Sequence, residues 1–258
     1  MNTTIMHREI KIFFTAIMFY TRIPCPSWVG HDAQYMQESA RYFTAIGWIV
    51  GALSAIVFWI GERLLSVELA ILLSMGCSIR LTGAFHEDGF ADVCDGFGGG
   101  WSKERILEIM KDSRLGTFGV VGLILLLGVK FFALNALAVE QATLFVLGGH
   151  ILSRMTAARM LRRGAYVQNN NLSKAGSAAN RLSLPSLLVN STLGLLYFTL
   201  LPSYLFMWAL LPMLLTEWWA FRFFKKWIGG YNGDCAGTVQ QLSEIVFYLS
   251  SIVLWKFI

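Results

Sequence analysis

The sequence predicts an all-α membrane protein, a polytopic transmembrane helical bundle of about seven spans with an amphipathic interfacial helix at its N-terminus. Hydrophobic side chains make up 55% of the 258 residues and charged side chains only 14%, and the mean hydropathy is +0.56. This composition is far more apolar than that of an ordinary soluble domain. A helix needs roughly 20 mostly apolar residues to cross a hydrocarbon core of about 30 Å. Seven stretches approach that length: 40–61, 66–85, 117–139, 143–161, 184–201, 204–224 and 242–258.

Before the first span, apolar residues recur at helical spacing within residues 8–22. This spacing predicts an amphipathic helix that lies on the membrane surface, although an ordinary packed helix would show the same pattern. The segment runs into Pro24 without a small-residue cleavage site, so we expect no cleaved signal peptide. The chain contains no internal repeat and no linker that would separate domains, and a single membrane domain is expected over residues 1–258.

Lysine and arginine outside the predicted spans lie almost entirely on one of the two predicted sides of the membrane. The three short connections at 62–65, 140–142 and 202–203 carry Arg63 alone. The other positive residues outside the spans concentrate in four segments: 1–38, 86–114, 162–183 and 225–241. Because positive loops are retained in the cytoplasm, this split predicts a multi-pass protein of the cytoplasmic (inner) membrane, with the N-terminus inside and the C-terminus outside. The net charge of +5 is then a topology signal, and no nucleic-acid partner is expected.

The most informative polar stretch is TGAFHEDGFADVCDGFGGG at residues 82–100, directly after the second span. If the second helix continues through it, Asp88, Asp92 and Asp95 lie on one face, because they are spaced at i, i+4 and i+7. Three neighbouring carboxylates repel one another and are costly near lipid, so a cation is expected. Mg²⁺ prefers oxygen ligands and substrate phosphates. The pattern therefore predicts magnesium-dependent phosphate chemistry, with a solvated acidic loop as the alternative.

Basic residues follow this acidic stretch. Lys111 and Arg114 are candidates to bind phosphate oxygens, with interfacial anchoring as the alternative. Asp112 lies between them and could complete a metal shell. Arg154 falls inside the fourth predicted span, where it needs a carboxylate or a phosphorylated ligand as a partner.

A second glycine cluster, GGYNGDCAGT, occupies residues 229–238 before the last span. Asp234 among these glycines indicates a turn that contacts a polar ligand, although a plain glycine turn would have the same composition. The cysteines show neither a CxxC pair nor zinc-site spacing and are interpreted as reduced thiols. Of the four histidines, only His86, next to the acidic run, is a candidate functional residue.

Taken together, these clusters resemble the cobalamin synthase (adenosylcobinamide-GDP ribazoletransferase) family. The core pattern is H-x-D-G-x-A-D-x-x-D-G, which begins at His86. The resemblance also covers YTRIPCP at 20–26, ILEIMKDSRLGTFGVVGL at 106–123, Ser153 with Arg154, and GGYNGDCAG at 229–237 followed by Glu244. Three positions depart from the family's pattern. Glu87 stands where an apolar residue is usual, Asn232 where Thr is common, and Gln241 where an acid is frequent.

The resemblance implies a magnesium-dependent membrane transferase that joins adenosylcobinamide-GDP to α-ribazole, or to α-ribazole 5′-phosphate, and releases GMP. Asp88, Asp92 and Asp95 would then bind Mg²⁺, and His86 or Asp112 would be the general base for the ribazole 5′-hydroxyl. The substrates would contact the candidate binding residues Lys111, Arg114, Arg154 and Asp234, on the cytoplasmic side.

Two other classes are weighed against this interpretation. A CDP-alcohol phosphotransferase shares the D-x-x-D-G pattern at residues 92–96, but the rest of that signature is missing. A transporter would place its acids near the middle of the bilayer and often contains an inverted repeat. The sequence leaves open whether the chain forms a homo-oligomer.

Overall fold

The computed structural model describes residues 3–137, 139–167 and 181–258. In this part of the chain the long elements are all helical, and one isolated bridge pairs Tyr166 with Tyr231. The α-helices are α1 (Thr3–Tyr20), α2 (Ala33–Glu38), α3 (Phe43–Leu64), α4 (Val67–Thr82), α5 (Phe85–Gly99), α6 (Lys103–Ile109), α7 (Thr117–Ala136), α8 (Val139–Arg163), α9 (Leu184–Leu196), α10 (Leu210–Ile228) and α11 (Gly233–Trp255). The predicted all-α bundle is confirmed.

Helices occupy all seven stretches that the sequence predicts as spans. Within the described residues, the helical stretches long and apolar enough to cross a membrane are Ala33–Leu64, Thr117–Ala136 and Tyr204–Ile228. Helices α4 and α5 would add a fourth if counted as one bent span. Helices α8 and α11 are continuous, but their apolar sequences contain polar residues, most of which are buried. The number of seven crossings therefore stays a prediction.

Helix α1 begins earlier than the predicted 8–22 segment and packs one face against the bundle. Ile12 and Ala16 on this face are fully buried, whereas Met6 and Ile10 on the other face are exposed. The Arg8 guanidinium donates to both carboxylate oxygens of Glu38 at 2.6 and 2.7 Å, which ties α1 to α2. The helix is thus amphipathic and packed, and its place at the membrane surface stays a prediction.

The second span does not continue through the acidic stretch, and the assumption of one continuous helix is wrong. Helix α4 ends at Thr82 and α5 starts at Phe85, and the two helices are bent by 88°. Gly83 and Ala84 both adopt left-handed backbone conformations, with φ of 69° and 59°, which end an α-helix. The three aspartates still share a face, because all of them lie on α5.

The centre of the bundle is α8, which packs between α3 and α11. Gly47 and Gly51 of α3 allow this packing, since a Cβ at Gly47 would lie 2.6 Å from the His150 carbonyl oxygen and one at Gly51 would lie 2.9 Å from that of Leu147. Buried apolar side chains form two clusters, one around Phe145 and Phe247 and the other around Met160, Phe224 and Val239. Polar side chains of α8 and α11 lie between these two clusters.

We expect reporter fusions to recover the predicted topology. A fusion after Lys226, or after Asn170, which lies outside the described residues, should report the cytoplasm, and one after Gln141 should report the outside. The physical reason is the loop-charge asymmetry described above. An alkaline phosphatase fusion is active on the outside, and a fluorescent-protein fusion fluoresces in the cytoplasm. Reversed signals at these three positions would contradict the predicted orientation.

Candidate active site

The acidic helix α5 lies directly against the first turn of α11. Gly89 has no side chain, which lets the Asp234 backbone approach so closely that a Cβ at Gly89 would lie 2.8 Å from the Asp234 Cα. A Cβ at Gly237 would likewise lie 3.3 Å from the His86 carbonyl oxygen. Thr238 Oγ1 donates to the Gly89 carbonyl at 3.4 Å. The two glycine-bearing stretches predicted from the sequence therefore meet at one place.

This contact brings Asp88, Asp92 and Asp234 together as one acidic cluster. Burial and the charges of Asp234, Asp88 and Asp95 raise the pKa of Asp92 to about 7. Asn232 caps α11 and its Nδ2 donates to Asp234 Oδ2 at 2.8 Å. Among the described residues, no Lys or Arg forms an ion pair with these carboxylates. Unpaired like charges of this kind favour the binding of a cation.

The arrangement of the cluster fits a cation that the protein holds only in part. Within the described ranges, no three His, Cys, Asp or Glu side chains are placed to hold one metal ion together. Mg²⁺ is usually bound by one or two carboxylates and keeps its other positions for water and substrate phosphates. The structure thus provides fewer than three side-chain ligands for one ion, whereas the sequence predicts three aspartates. One or two carboxylates are the usual protein ligands of Mg²⁺.

Asp95 has a different contact from the other two aspartates of α5. Its carboxylate oxygens accept the backbone N–H groups of Gly116 at 2.7 Å and Gly119 at 2.8 Å. These groups lie at the N-terminus of α7, where N–H groups lack partners within the helix and a negative charge is favourable. In this structure Asp95 therefore anchors α7 to α5, and its role as a metal ligand stays a prediction.

Asp112 and Arg114, predicted to act on the substrate, bind each other. Arg114 Nη2 lies 2.6 Å from Asp112 Oδ2 and Nε lies 3.0 Å from Oδ1. The hydrogen bonds from Arg114 hold the pKa of Asp112 at about 2, which makes this carboxylate a poor acceptor for a hydroxyl proton. Lys111 instead lines a groove of about 230 Å³ together with Tyr166, Asn232 and Asp234, so it shares this groove with one carboxylate of the acidic cluster.

His86 and Arg154 face the interior of the bundle. His86 is 2% exposed and Arg154 1%, and both line a closely packed interior region that leaves no room for a water molecule. The ring of His86 contacts those of Phe43 and Phe85, and Arg154 Nη1 donates to the His150 carbonyl at 3.0 Å. His86, the predicted candidate base, and Arg154, the predicted substrate contact, therefore lie apart from the groove of Lys111 and Asp234.

Arg154 belongs to a buried charge cluster, which we define as Lys130, His150, Arg154 and Glu244. Lys130 Nζ lies 2.6 Å from Glu244 Oε1, and His150 Nδ1 lies 3.7 Å from the same oxygen. Tyr248 and Gln240 donate to the Glu244 carboxylate, both at 2.9 Å. Lys130 is not among the residues predicted to be functional, although a lysine inside an apolar span such as 117–139 indicates a buried partner.

Two of the positions that depart from the resembled family form a hydrogen bond with each other. Gln241 Nε2 on α11 donates to Glu87 Oε1 on α5 at 2.9 Å. Both side chains are buried, and a buried carboxylate without a donor would be costly. Glu87 therefore has a partner across the same helix contact that forms the acidic cluster.

These helices and contacts are those of a helical membrane protein that carries an acidic cluster beside a groove lined by a lysine. The sequence profile of the cobalamin-5-phosphate synthase family matches residues 12–252, and the chain belongs to that family.

The chain is also similar to curated adenosylcobinamide-GDP ribazoletransferases. It is 40% identical over 251 residues to that of Shewanella oneidensis, with 96% of each chain covered. It is 40% identical over 245 residues to that of Shewanella frigidimarina, with 94% of each chain covered. No solved structure matches the chain.

The buried charge cluster gives a prediction about stability. Replacement of Lys130 by Met keeps an unbranched apolar stem and leaves the Glu244 carboxylate without its closest cation. We expect Lys130→Met to lower the free energy of unfolding by about 3 kcal/mol, since an unpaired buried charge is strongly destabilising. The double variant Lys130→Met/Glu244→Gln should lose less than the sum of the two single variants. Unfolding by SDS in mixed micelles measures the free energy of unfolding of the wild type, the two single variants and the double variant. Strictly additive losses of this free energy would contradict the pairing.

Proposed function

We propose that the protein is an adenosylcobinamide-GDP ribazoletransferase of the cytoplasmic membrane. In this reaction the 5′-hydroxyl oxygen of α-ribazole, or of α-ribazole 5′-phosphate, attacks the phosphorus bonded to the cobinamide side. The phosphoanhydride bond breaks, GMP leaves with its electron pair, and the hydroxyl proton is lost. The observation that carries this proposal is the acidic cluster at the contact of α5 with α11, in a chain of this family.

The residues of the acidic cluster suit a transfer between phosphates. Such reactions depend mainly on positioning and on neutralisation of charge, because the transferred group has a loose transition state. One or two carboxylates among Asp88, Asp92 and Asp234 would hold Mg²⁺, which would neutralise phosphate oxygens and favour the departure of GMP. Lys111, in the same groove as Asp234, would bind a further phosphate oxygen as a point charge.

The acceptor of the hydroxyl proton is a further part of the proposal. His86 is closed off from the groove, and Arg114 holds Asp112 as a weak base. We therefore assign proton acceptance to a carboxylate of the acidic cluster. The ribazole hydroxyl would bind next to this cluster, because the phosphorus that it attacks would be held there. The positive segment 86–114 contains α5 and α6, and the positive segment 225–241 begins at the end of α10. Both favour a site on the cytoplasmic side.

The direct test supplies purified protein in nanodiscs with adenosylcobinamide-GDP, α-ribazole and Mg²⁺, and measures GMP by chromatography. We expect GMP to appear together with the joined corrinoid product, to stop with excess chelator, and to return with added Mg²⁺. Removal of a group that acts in the transition state typically costs about 100-fold or more in turnover. Asp92→Asn should therefore lower the production of GMP by at least about 100-fold.

Glu108→Gln provides the matched control for this experiment. Glu108 is an exposed carboxylate on the neighbouring helix α6, where it pairs with Arg105. Its loss should leave turnover within about threefold, because surface ion pairs contribute little. Wild-type protein that releases no GMP, or an Asp92→Asn variant that is as active as Glu108→Gln, would contradict the proposal.

A further inference from the structure

A wide groove runs along α10 at the end of α8, separate from the acidic cluster. It has a volume of about 870 Å³ and is lined by aromatic and basic side chains, among them Trp218, Trp219, Arg163, Arg222, Lys225 and Lys226. It shares no lining residue with the groove of Lys111 and Asp234. None of these side chains has a part in the proposed transfer reaction.

The exposed side chains of α10 change in character along one face of the helix. Leu211 is 54% exposed, Leu215 55% and Trp219 59%, and Arg222 and Lys226 follow on the same face, since the spacing of three to four residues keeps them in line. The helical stretch Tyr204–Ile228 is apolar and long enough to cross a membrane. The order along it is thus leucine, then tryptophan, then arginine and lysine, which is the order of acyl chain, interface and headgroup in a lipid leaflet.

The basic end of the groove carries an excess of positive charge. Glu217 is the acid beneath it and is fully buried, at 3.5 Å from Arg163 Nε. Arg222 stacks on the ring of Trp218 at 4.8 Å and Lys226 lies 5.7 Å from that of Trp227. Within the described ranges neither cation forms an ion pair with a carboxylate. Their charges are therefore available to an anionic ligand, while stacking holds them in place.

We propose that this groove binds one anionic phospholipid, such as phosphatidylglycerol. Its phosphate lies between Arg222 and Lys226, its ester region lies against Trp218 and Trp219, and an acyl chain extends along Leu215. The leucines argue for a lipid over a soluble phosphate compound, because a soluble ligand gains nothing from an apolar face that continues toward the bilayer interior. A cation near an anionic lipid surface adds to binding, and the two cations act together.

Native mass spectrometry of the full-length protein tests the lipid site. Protein in detergent is given equal amounts of phosphatidylglycerol and phosphatidylcholine with the same acyl chains. We expect wild-type protein to retain phosphatidylglycerol about tenfold or more over phosphatidylcholine, and Arg222→Gln/Lys226→Gln to lose this preference. Both side chains are exposed, so neither replacement removes a buried contact. The charge-conserving variant Arg222→Lys/Lys226→Arg should keep at least part of the preference.

Arg63→Gln is the control, since Arg63 also stacks on a tryptophan, Trp59, at 3.9 Å, but its charge is paired with Glu62 at 2.7 Å. It lies at the end of α3 without a cluster of further cations, so its loss should leave the lipid preference unchanged. Equal retention of the two lipids by wild-type protein would overturn the proposal. So would an equal loss of preference in Arg63→Gln and in the double variant, or release of the bound lipid by inorganic phosphate alone.

Discussion

The buried ion pair between Lys130 and Glu244 joins α7 to α11 in the interior of the bundle. A carboxylate inside an apolar bundle is tolerated only with a cation and with donors for its remaining lone pairs. Glu244 receives the cation, Lys130, from α7 and the donors, Gln240 and Tyr248, from its own helix. This requirement fixes the depth and rotation of α11. Because Asp234 lies on the first turn of the same helix, the buried pair also determines where the acidic cluster forms.

The second constraint is the turn between α4 and α5. The left-handed residues Gly83 and Ala84 fold α5 back across the end of the bundle, where Gly89 lets it contact α11. A straight continuation of α4 would have carried Asp88 and Asp92 away from Asp234. The bond between Glu87 and Gln241 reinforces this contact from the interior side. Helices α5 and α11 therefore make a buried hydrogen bond on the interior side of their contact and carry the acidic cluster on the other side.

The sequence was sufficient for features that depend on local periodicity. Apolar runs predict the helices, and the spacing of Asp88 and Asp92 predicts their common face. Features that depend on tertiary contacts could not be predicted in this way. The carboxylate of Asp95 caps a helix that begins more than twenty residues later, and His86 and Arg154 point inward because of neighbours on other helices. The bend includes Ala84, a residue type that seldom adopts a left-handed conformation, so composition gave no signal for it.

Mn²⁺ binding, followed by electron paramagnetic resonance, measures whether α5 and α11 together hold a divalent cation, as we propose. Mn²⁺ has the same preference for oxygen ligands as Mg²⁺. We expect purified protein to bind Mn²⁺ in competition with Mg²⁺. Asp92→Asn and Asp234→Asn should each weaken this binding, and Asp112→Asn should leave it unchanged. Binding that is unaffected by the loss of either Asp92 or Asp234, or that depends on Asp112 alone, would contradict the proposal.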